Sequence, residues 1–387
     1  MTTPTPLPRA EFPVVEQYRY FDHAGVAPVP RVAADAMRAW LARVEHQGKV
    51  DYEELEAAVE ATRSSAARIM GVPADDVAFV KNTTEGLGFV ASGLTWHPGD
   101  RVVVPDHEFP STIYPWLALR DLGVRVDLVP TEGEGRAVTV DAFARAIADG
   151  PPPRVVAASW VQFGRGWRVD LAALASVAHD AGALLCADVI QGLGVIPVEL
   201  AAWGVDFAMA DGHKWLCAPE GQGVFYAAPP AAEQLRPLEP GWASVDHRQE
   251  WDNLELVWDR TARRFEGGTA NTGGAIALGA SIDLLLDAGI DAIWSHVDAL
   301  CDRLVSQLSS VEHVHVLTDR SGDGGSGIVT FAVDGIDAER VVEELTAQRF
   351  VCSARGGGTR IAPHGYNDDD EIDALVASVA SLVATTR

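Results

Sequence analysis

Lysine is almost missing from this chain. Of its 30 basic residues only Lys49, Lys81 and Lys214 are lysines, and the other 27 are arginines. Basic charge is scarce altogether. Against 55 acidic side chains it leaves a net charge of −25, which argues against a broad electrostatic grip on nucleic acid or anionic lipid. Cysteine is sparse too: Cys186, Cys217, Cys301 and Cys352 form no CxxC pair, so neither a disulfide framework nor a cysteine-rich zinc site is expected. No apolar run reaches the about 18 residues of a membrane span. The opening residues, MTTPTPLPRAEFPVVEQ, lack the cationic start and apolar core of a signal peptide, so a cytoplasmic protein is the expectation. Two nucleotide-binding signatures are also absent, the GxGxxG after a first strand and the GxxxxGK[ST] loop. GDGGSG at 322–327 reads as a plain loop.

What is present suits a large folded core. Of the 387 residues 48% are hydrophobic and 22% charged, and that length divides into two to three domains of about 150 residues. After a Pro-rich start, helices are expected over 32–46 and 52–70. Apolar strands follow at 101–105, 124–129, 154–159, 183–187, 206–210 and 223–227. Helical patterns at 85–93, 111–122, 140–148 and 171–181 fall between or before them. Short apolar strands alternating with helices predict an α/β fold with a mostly parallel sheet buried on both faces. Ligands of such sheets sit at the carboxyl ends of the strands. Beyond about residue 270 the pattern changes. Helices at 274–287, 291–308, 338–348 and 369–384 mix with strands near 314–317, 327–333 and 360–362, which predicts a smaller α+β unit. The expected division is an N-terminal segment 1–30, a large domain 31–270 and a small domain 271–387.

Five short motifs carry chemistry. In DFAMADGHKWLCAPEG, Lys214 follows an apolar strand; a lysine there can have a lowered amine pKa and form a Schiff base with a carbonyl. An ordinary surface lysine is the plain alternative. In LLCADVIQG, Asp188 ends another strand, able to face the same crevice and pair with a protonated ring nitrogen, while Gln191 can reach a ring substituent; helix capping is the alternative for Asp188. In FVKNTTEGLGF, Thr83 and Thr84 open a helix, an anion site by dipole and free N–H groups, or simple caps. In PDHEFPSTIYPW, Phe109 can stack on a flat ring, or belong to the core. In GTRIAPHGYN, Arg360 offers a fork for a carboxylate, or lies on the surface. Trp160, Trp167, Trp215 and Trp242 lie near these motifs and suit either a large apolar pocket or the core.

In this order and strand-end placement the motifs resemble the class V aminotransferase family of fold-type I pyridoxal-phosphate enzymes, over nearly the whole chain from YFDHAGVAPVP to RIAPHGYND. That family includes cysteine desulfurases, selenocysteine lyases, kynureninases and isopenicillin-N epimerase-like proteins. The resemblance implies pyridoxal 5'-phosphate as cofactor, with Lys214 as its Schiff-base lysine, Asp188 at the pyridine nitrogen and Gln191 near the ring hydroxyl. It implies that Thr83, Thr84 and His213 contact the phosphate, and that Phe109 stacks on the ring. Thr269, in RFEGGTANTGG, matches a threonine that reaches the phosphate of a neighbouring subunit, which implies a homodimer with shared sites. Arg360 matches the arginine that binds the substrate carboxylate. His23 falls where relatives bring a polar residue towards the substrate, and Gln162 stands beside Phe163, where desulfurases place an asparagine.

Two departures from the family pattern shape the expectation. Asp211 replaces a phosphate-binding serine and is left out of the site. Desulfurases carry a long loop with a persulfide-forming cysteine between the positions of Arg355 and Arg360; here four residues intervene, and Cys352 lies before Arg355. The expected activity is therefore a C–S β-elimination lyase or an aminotransferase acting through a Cα carbanion, and not a persulfide-forming desulfurase. An amino-acid epimerase and a non-catalytic cofactor-binding protein are the alternatives.

Overall fold

Seven short strands build the central sheet: β1 (Val77–Val80), β2 (Arg101–Pro105), β3 (Arg125–Val129), β4 (Val155–Ser159), β5 (Leu184–Asp188), β6 (Phe207–Asp211) and β7 (Gly223–Ala227). In this computed structural model, which describes residues 5–133 and 136–385, their order across the sheet is β1-β7-β6-β5-β4-β2-β3. The first four residues of the expected N-terminal segment and the last two of the chain lie outside the described residues. β2 to β6 run parallel, and β7 is antiparallel to both β1 and β6. The central strands are buried from end to end, Val102 to Val104, Val155 to Ala158 and Phe207 to Ala210 alike, as a sheet covered on both faces requires.

From β2 the chain winds outward to β3, then returns to lay β4 on the other side of β2. The crevice where the winding reverses opens at the carboxyl ends of these strands, the place where ligands of open α/β sheets bind. Helices α1 (Arg31–Gln47), α2 (Tyr52–Met70), α3 (Thr83–Gly93), α4 (Pro110–Leu117), α5 (Val140–Ala148) and α6 (Leu171–Asp180) accompany the sheet. The single helix expected over 111–122 is instead α4 followed by a 3₁₀ stretch, Ala118–Leu122. Pro115 inside α4 has no N–H to continue the helical ladder.

The C-terminal part holds α7 (Thr272–Ala288), α8 (Ile290–Leu308), β8 (Val314–Val316), β9 (Val329–Val333), α9 (Ala338–Ala347), β10 (Ser353–Arg355), β11 (Gly358–Ile361) and α10 (Asp369–Thr385). Its four strands form an antiparallel sheet, ordered β10-β11-β9-β8. Helix α7 packs back on α1 and α2, so the two parts share a helical layer. The N-terminal segment ties to the C-terminal part. Arg19–Tyr20 pairs in parallel with Phe350–Val351, Leu7 N–H donates to Gly365 O at 3.0 Å, and Ala362 N–H donates to Phe21 O at 2.7 Å.

Candidate active site

A cavity of about 470 Å³ lies at the carboxyl ends of the central strands. Each wall has a local cause. Strand β5 ends in Asp188. Strand β6 ends in Asp211 and turns through Gly212 and His213 to Lys214. That turn is fixed by Gly212 N–H donating to Gln222 O at 2.9 Å and by Cys217 N–H donating to Lys214 O at 2.8 Å. The N-terminal segment closes the front, since Ala27 N–H donates to His213 O at 2.7 Å and Tyr20, Asp22, Gly25 and Val26 line the cavity.

Asp188 is buried on the cavity floor. Its Oδ2 accepts from Thr112 at 3.0 Å and its Oδ1 from Ile190 N–H at 3.0 Å. Burial still raises its carboxyl above the ordinary range; those two donors and the charge of Lys214 offset only part of that. A cation in the cavity, such as a protonated pyridine ring, is the partner that would hold it ionised. Lys214 is the complement. Burial lowers its amine to about 8, with Asp188 opposing the shift and Arg360 adding to it. Among the described residues no side chain forms a hydrogen bond or ion pair with its Nζ, which lies 5.6 Å from the centre of the Phe109 ring.

This yields a test. An amine of pKa about 8 is mostly free base above that pH. Capture of pyridoxal phosphate by cofactor-stripped protein should therefore accelerate with rising pH, reach half its maximum near 8 and then level off. Stopped-flow absorbance measures it; a rate still climbing steeply at pH 10 would show an ordinary lysine.

The opposite end of the cavity suits a phosphate. Helix α3 begins at Thr83, with Asn82 as its cap accepting from Glu85 N–H at 3.0 Å. Asn82, Thr83 and Thr84 all line the cavity. Thr83 Oγ1 accepts from Asp211 N–H at 3.1 Å, locking the helix start to β6, and Thr84 Oγ1 bonds Ser111 Oγ at 2.9 Å. Asp211, left aside in the sequence reading, faces the cavity with its Oδ2 3.0 Å from His213 Nδ1. That contact lacks hydrogen-bonding geometry, and among the described residues neither His213 Nδ1 nor the other carboxylate oxygen, Asp211 Oδ1, has a hydrogen-bond partner. An orphaned ring nitrogen beside a helix N-terminus fits an anion. With the Lys214 and Asp188 pair, the donor set fits pyridoxal phosphate.

The other expected residues divide into three that line the cavity and three that do not. Phe109 lines the cavity edge-on to Phe163, ring centres 5.4 Å apart. Gln191 lines it too, but both ends of its amide are engaged, Nε2 with Ala24 O at 3.1 Å and Oε1 with Trp215 Nε1 at 2.9 Å. Arg360 is buried and faces the cavity. Its Nη2 donates to Asp22 Oδ1 at 3.0 Å and its Nη1 to Phe163 O at 2.8 Å, while its Nε has no partner. Three residues lie off the cavity. Gln162 spends its side chain on His107 O, Gly164 N–H and Arg165 N–H, pinning a turn. His23 is fully buried between Ala362 O at 2.7 Å and Tyr366 Oη at 2.8 Å, and burial holds its pKa well below normal. Thr269 is exposed in a separate hollow with Lys81 and Glu85. None of the four tryptophans near the motifs lines this cavity. Trp215 is core, and Trp160 and Trp167 line another hollow with Trp203.

Sequence reasoning missed Asp22, Thr112, Ser353 and Glu108. Asp22 sits one residue before His23, in the very motif that was singled out. Glu108 precedes Phe109 and is buried; it accepts from Ser159 N–H at 2.7 Å and bonds the Ser159 hydroxyl, and burial pushes its carboxyl up to about 7. Ser159 stands opposite Asp188 in the β4–β5 register.

The comparisons with known proteins agree with this geometry. The family model for aminotransferase class V matches residues 19–370. A probable cysteine desulfurase of Methanothermobacter thermautotrophicus is 31% identical over 95% of each chain, and a cysteine desulfurase of Klebsiella pneumoniae is 30% identical over 97% of each. The solved apo cysteine desulfurase from Thermococcus onnurineus superposes with a TM-score of 0.89 over the full length of both chains at 24% identity, a likeness of fold. These relatives overturn the expectation that excluded a persulfide-forming desulfurase in favour of an elimination lyase or aminotransferase. That exclusion weighed one short loop against a resemblance that runs the length of the chain. From the Lys214–Asp188 cavity to the whole-length match, the chain is a member of the class V aminotransferase family of pyridoxal-phosphate enzymes.

Proposed function

We propose that this protein is a cysteine desulfurase: it takes sulfur from a cysteine-class amino acid and passes it to a thiol acceptor. The observation that carries the reading is the cavity in which the low-pKa amine of Lys214 stands with buried Asp188 and Arg360. The names of relatives matched over 95% and 97% of this chain support the choice of sulfur chemistry. For L-cysteine the balance is simple. Cysteine and a thiol RSH give alanine and RSSH; the C–S bond breaks, an S–S bond forms, and the thiol proton ends on carbon.

Pyridoxal phosphate, when bound, supplies an aldehyde for an amine and a conjugated ring that accepts electrons released at the substrate Cα. The chain's own residues do the rest. The carboxylate of Asp188, held by Thr112 and Ile190 N–H, would serve the ring nitrogen of the bound cofactor and favour its protonated form. The unpaired Nε of Arg360 donates to the substrate carboxylate, and Asp22 and Phe163 O keep the guanidinium in place. Lys214, with its amine free while substrate is bound, would remove the proton from Cα and return one to carbon.

The same reading makes the protein a homodimer, with Thr269 reaching a partner's phosphate site. The exposed apolar side chains Trp251, Leu254 and Leu256 on that loop region favour cover by another chain. It also divides the chain into a cofactor domain 31–270 and a small domain 271–387, with 1–30 closing the site, and it places the protein in the cytoplasm. The decisive experiment incubates the holoenzyme with L-cysteine and dithiothreitol. Alanine and sulfide should appear in equal amounts. Pyruvate and ammonia in place of alanine would overturn the proposal.

A further inference from the structure

Among the described residues two cations facing the cavity lack a carboxylate partner: Lys214, whose amine the cofactor takes in the reading above, and Arg355. Of the carboxylates lining the cavity, Asp22 is held by Arg360 and Ser353, Asp188 by Thr112 and Ile190 N–H, and Asp211 lies against His213. Arg355 also lines the cavity, yet among the described residues no carboxylate comes within the 4.0 Å of an ion pair. Its guanidinium is hydrogen-bonded only to Ala354 O, at 2.8 Å. Arg355 is exposed to solvent, so an incoming anion can reach it.

The backbone holds Arg355 there firmly. Ser353 and Arg360 stand directly opposite in the β10–β11 hairpin, so they share a face, and Arg355, two residues on from Ser353, projects from that face too. The turn between the strands runs through Gly356 and Gly357 at φ +63° and +83°. A Cβ at Gly356 would come within 2.5 Å of Gly164 O, and Arg165 Nε donates to Gly356 O at 2.8 Å. The diagonal spacing on such a hairpin is roughly 7–8 Å between Cα atoms, and both arginines line the one cavity. Arg360 has its pKa lowered first by burial and then by the nearby charge of Arg355, although Asp22 opposes both.

We propose that Arg355 is a specificity residue: it receives a second acidic group at the far end of the amino-acid substrate while Arg360 holds the α-carboxylate. The inference rests on the desulfurase reading and extends it: beside cysteine, the site favours amino acids whose side chains end in an anion. A guanidinium matches a carboxylate bidentately, and an isosteric amide offers it neither the charge nor the second acceptor.

The test measures dissociation constants from the absorbance change of the holoenzyme. The ligands are S-carboxymethyl-L-cysteine and its amide S-carbamoylmethyl-L-cysteine, with L-aspartate and L-asparagine as a second pair. The acid of each pair should bind at least tenfold tighter. R355A should erase that preference, R355E should reverse it, and R355K should keep most of it. Equal binding of acid and amide by the native enzyme, or a preference that survives in R355E, would overturn the inference. A spectral response to L-cysteine in that case keeps the desulfurase reading standing, whereas no response to any of these amino acids sinks both.

Discussion

Replacing Lys214 with alanine is expected to lower turnover of L-cysteine at least about 10³-fold, because one side chain serves as both the covalent anchor and the proton carrier. The fold should survive. The turn that carries Lys214 is held by backbone bonds, Gly212 to Gln222 and Cys217 to Lys214 O, and the lysine amine makes no hydrogen bond that alanine would break. Thermal unfolding of the two cofactor-free proteins should therefore nearly coincide. Borohydride treatment followed by mass spectrometry supplies an independent readout. The native chain should gain the mass of the reduced cofactor on the peptide holding Lys214, and K214A should gain nothing. Cofactor trapped at Lys49 or Lys81 would displace Lys214 from its role. Neither of those lysines lines the cavity.

The second large effect belongs to Asp188. Asparagine keeps the shape and can still accept from Ile190 N–H, but it brings no charge to the ring nitrogen. A preorganised charge in a site closed to water typically contributes 10²- to 10³-fold in rate, and D188N should lose about that much in kcat. The absorbance maximum of the bound cofactor should shift as its ring loses a proton, while dissociation of Arg360-bound carboxylate ligands should change little. The variant should be at least as stable as the native protein without cofactor, because burial already disfavours the ionised carboxyl in the cavity floor. A D188N enzyme within threefold of native turnover would show that Asp188 is merely structural.

The sequence exposes strands such as 101–105 and 223–227 to the residue, because each is a short apolar run with Gly, Pro or Asp at its ends and burial on both faces leaves no room for polar alternation. It exposes Lys214 for the opposite reason, as an outlier in a chain nearly without lysine. His23 misled for a physical reason. The Asp22–His23 step turns one side chain towards the cavity and the next into the core, and spacing alone does not say which. Gln162 misled because its amide finds backbone partners, His107 O and the N–H groups of Gly164 and Arg165, before it finds a ligand. Asp22 went unread because its role exists only through Ser353 and Arg360, more than 330 residues later. Arg355 was noticed only as the edge of a loop, since the absence of a partner is visible only once every carboxylate has a position.

The clasp between the segment around Asp22 and the strand at Ser353 has a consequence for biosynthesis. These partners lie 331 residues apart. At roughly 5–20 residues per second, the ribosome needs on the order of 15 to 70 seconds to deliver the second after the first. During that interval the emerging sheet already presents its lysine and aspartate, while the front wall has its bonds to the large domain, Ala27 N–H to His213 O and Gln191 Nε2 to Ala24 O, but not yet those to Ser353 and Arg360. The cavity thus gains its full set of wall bonds only in the last stretch of synthesis.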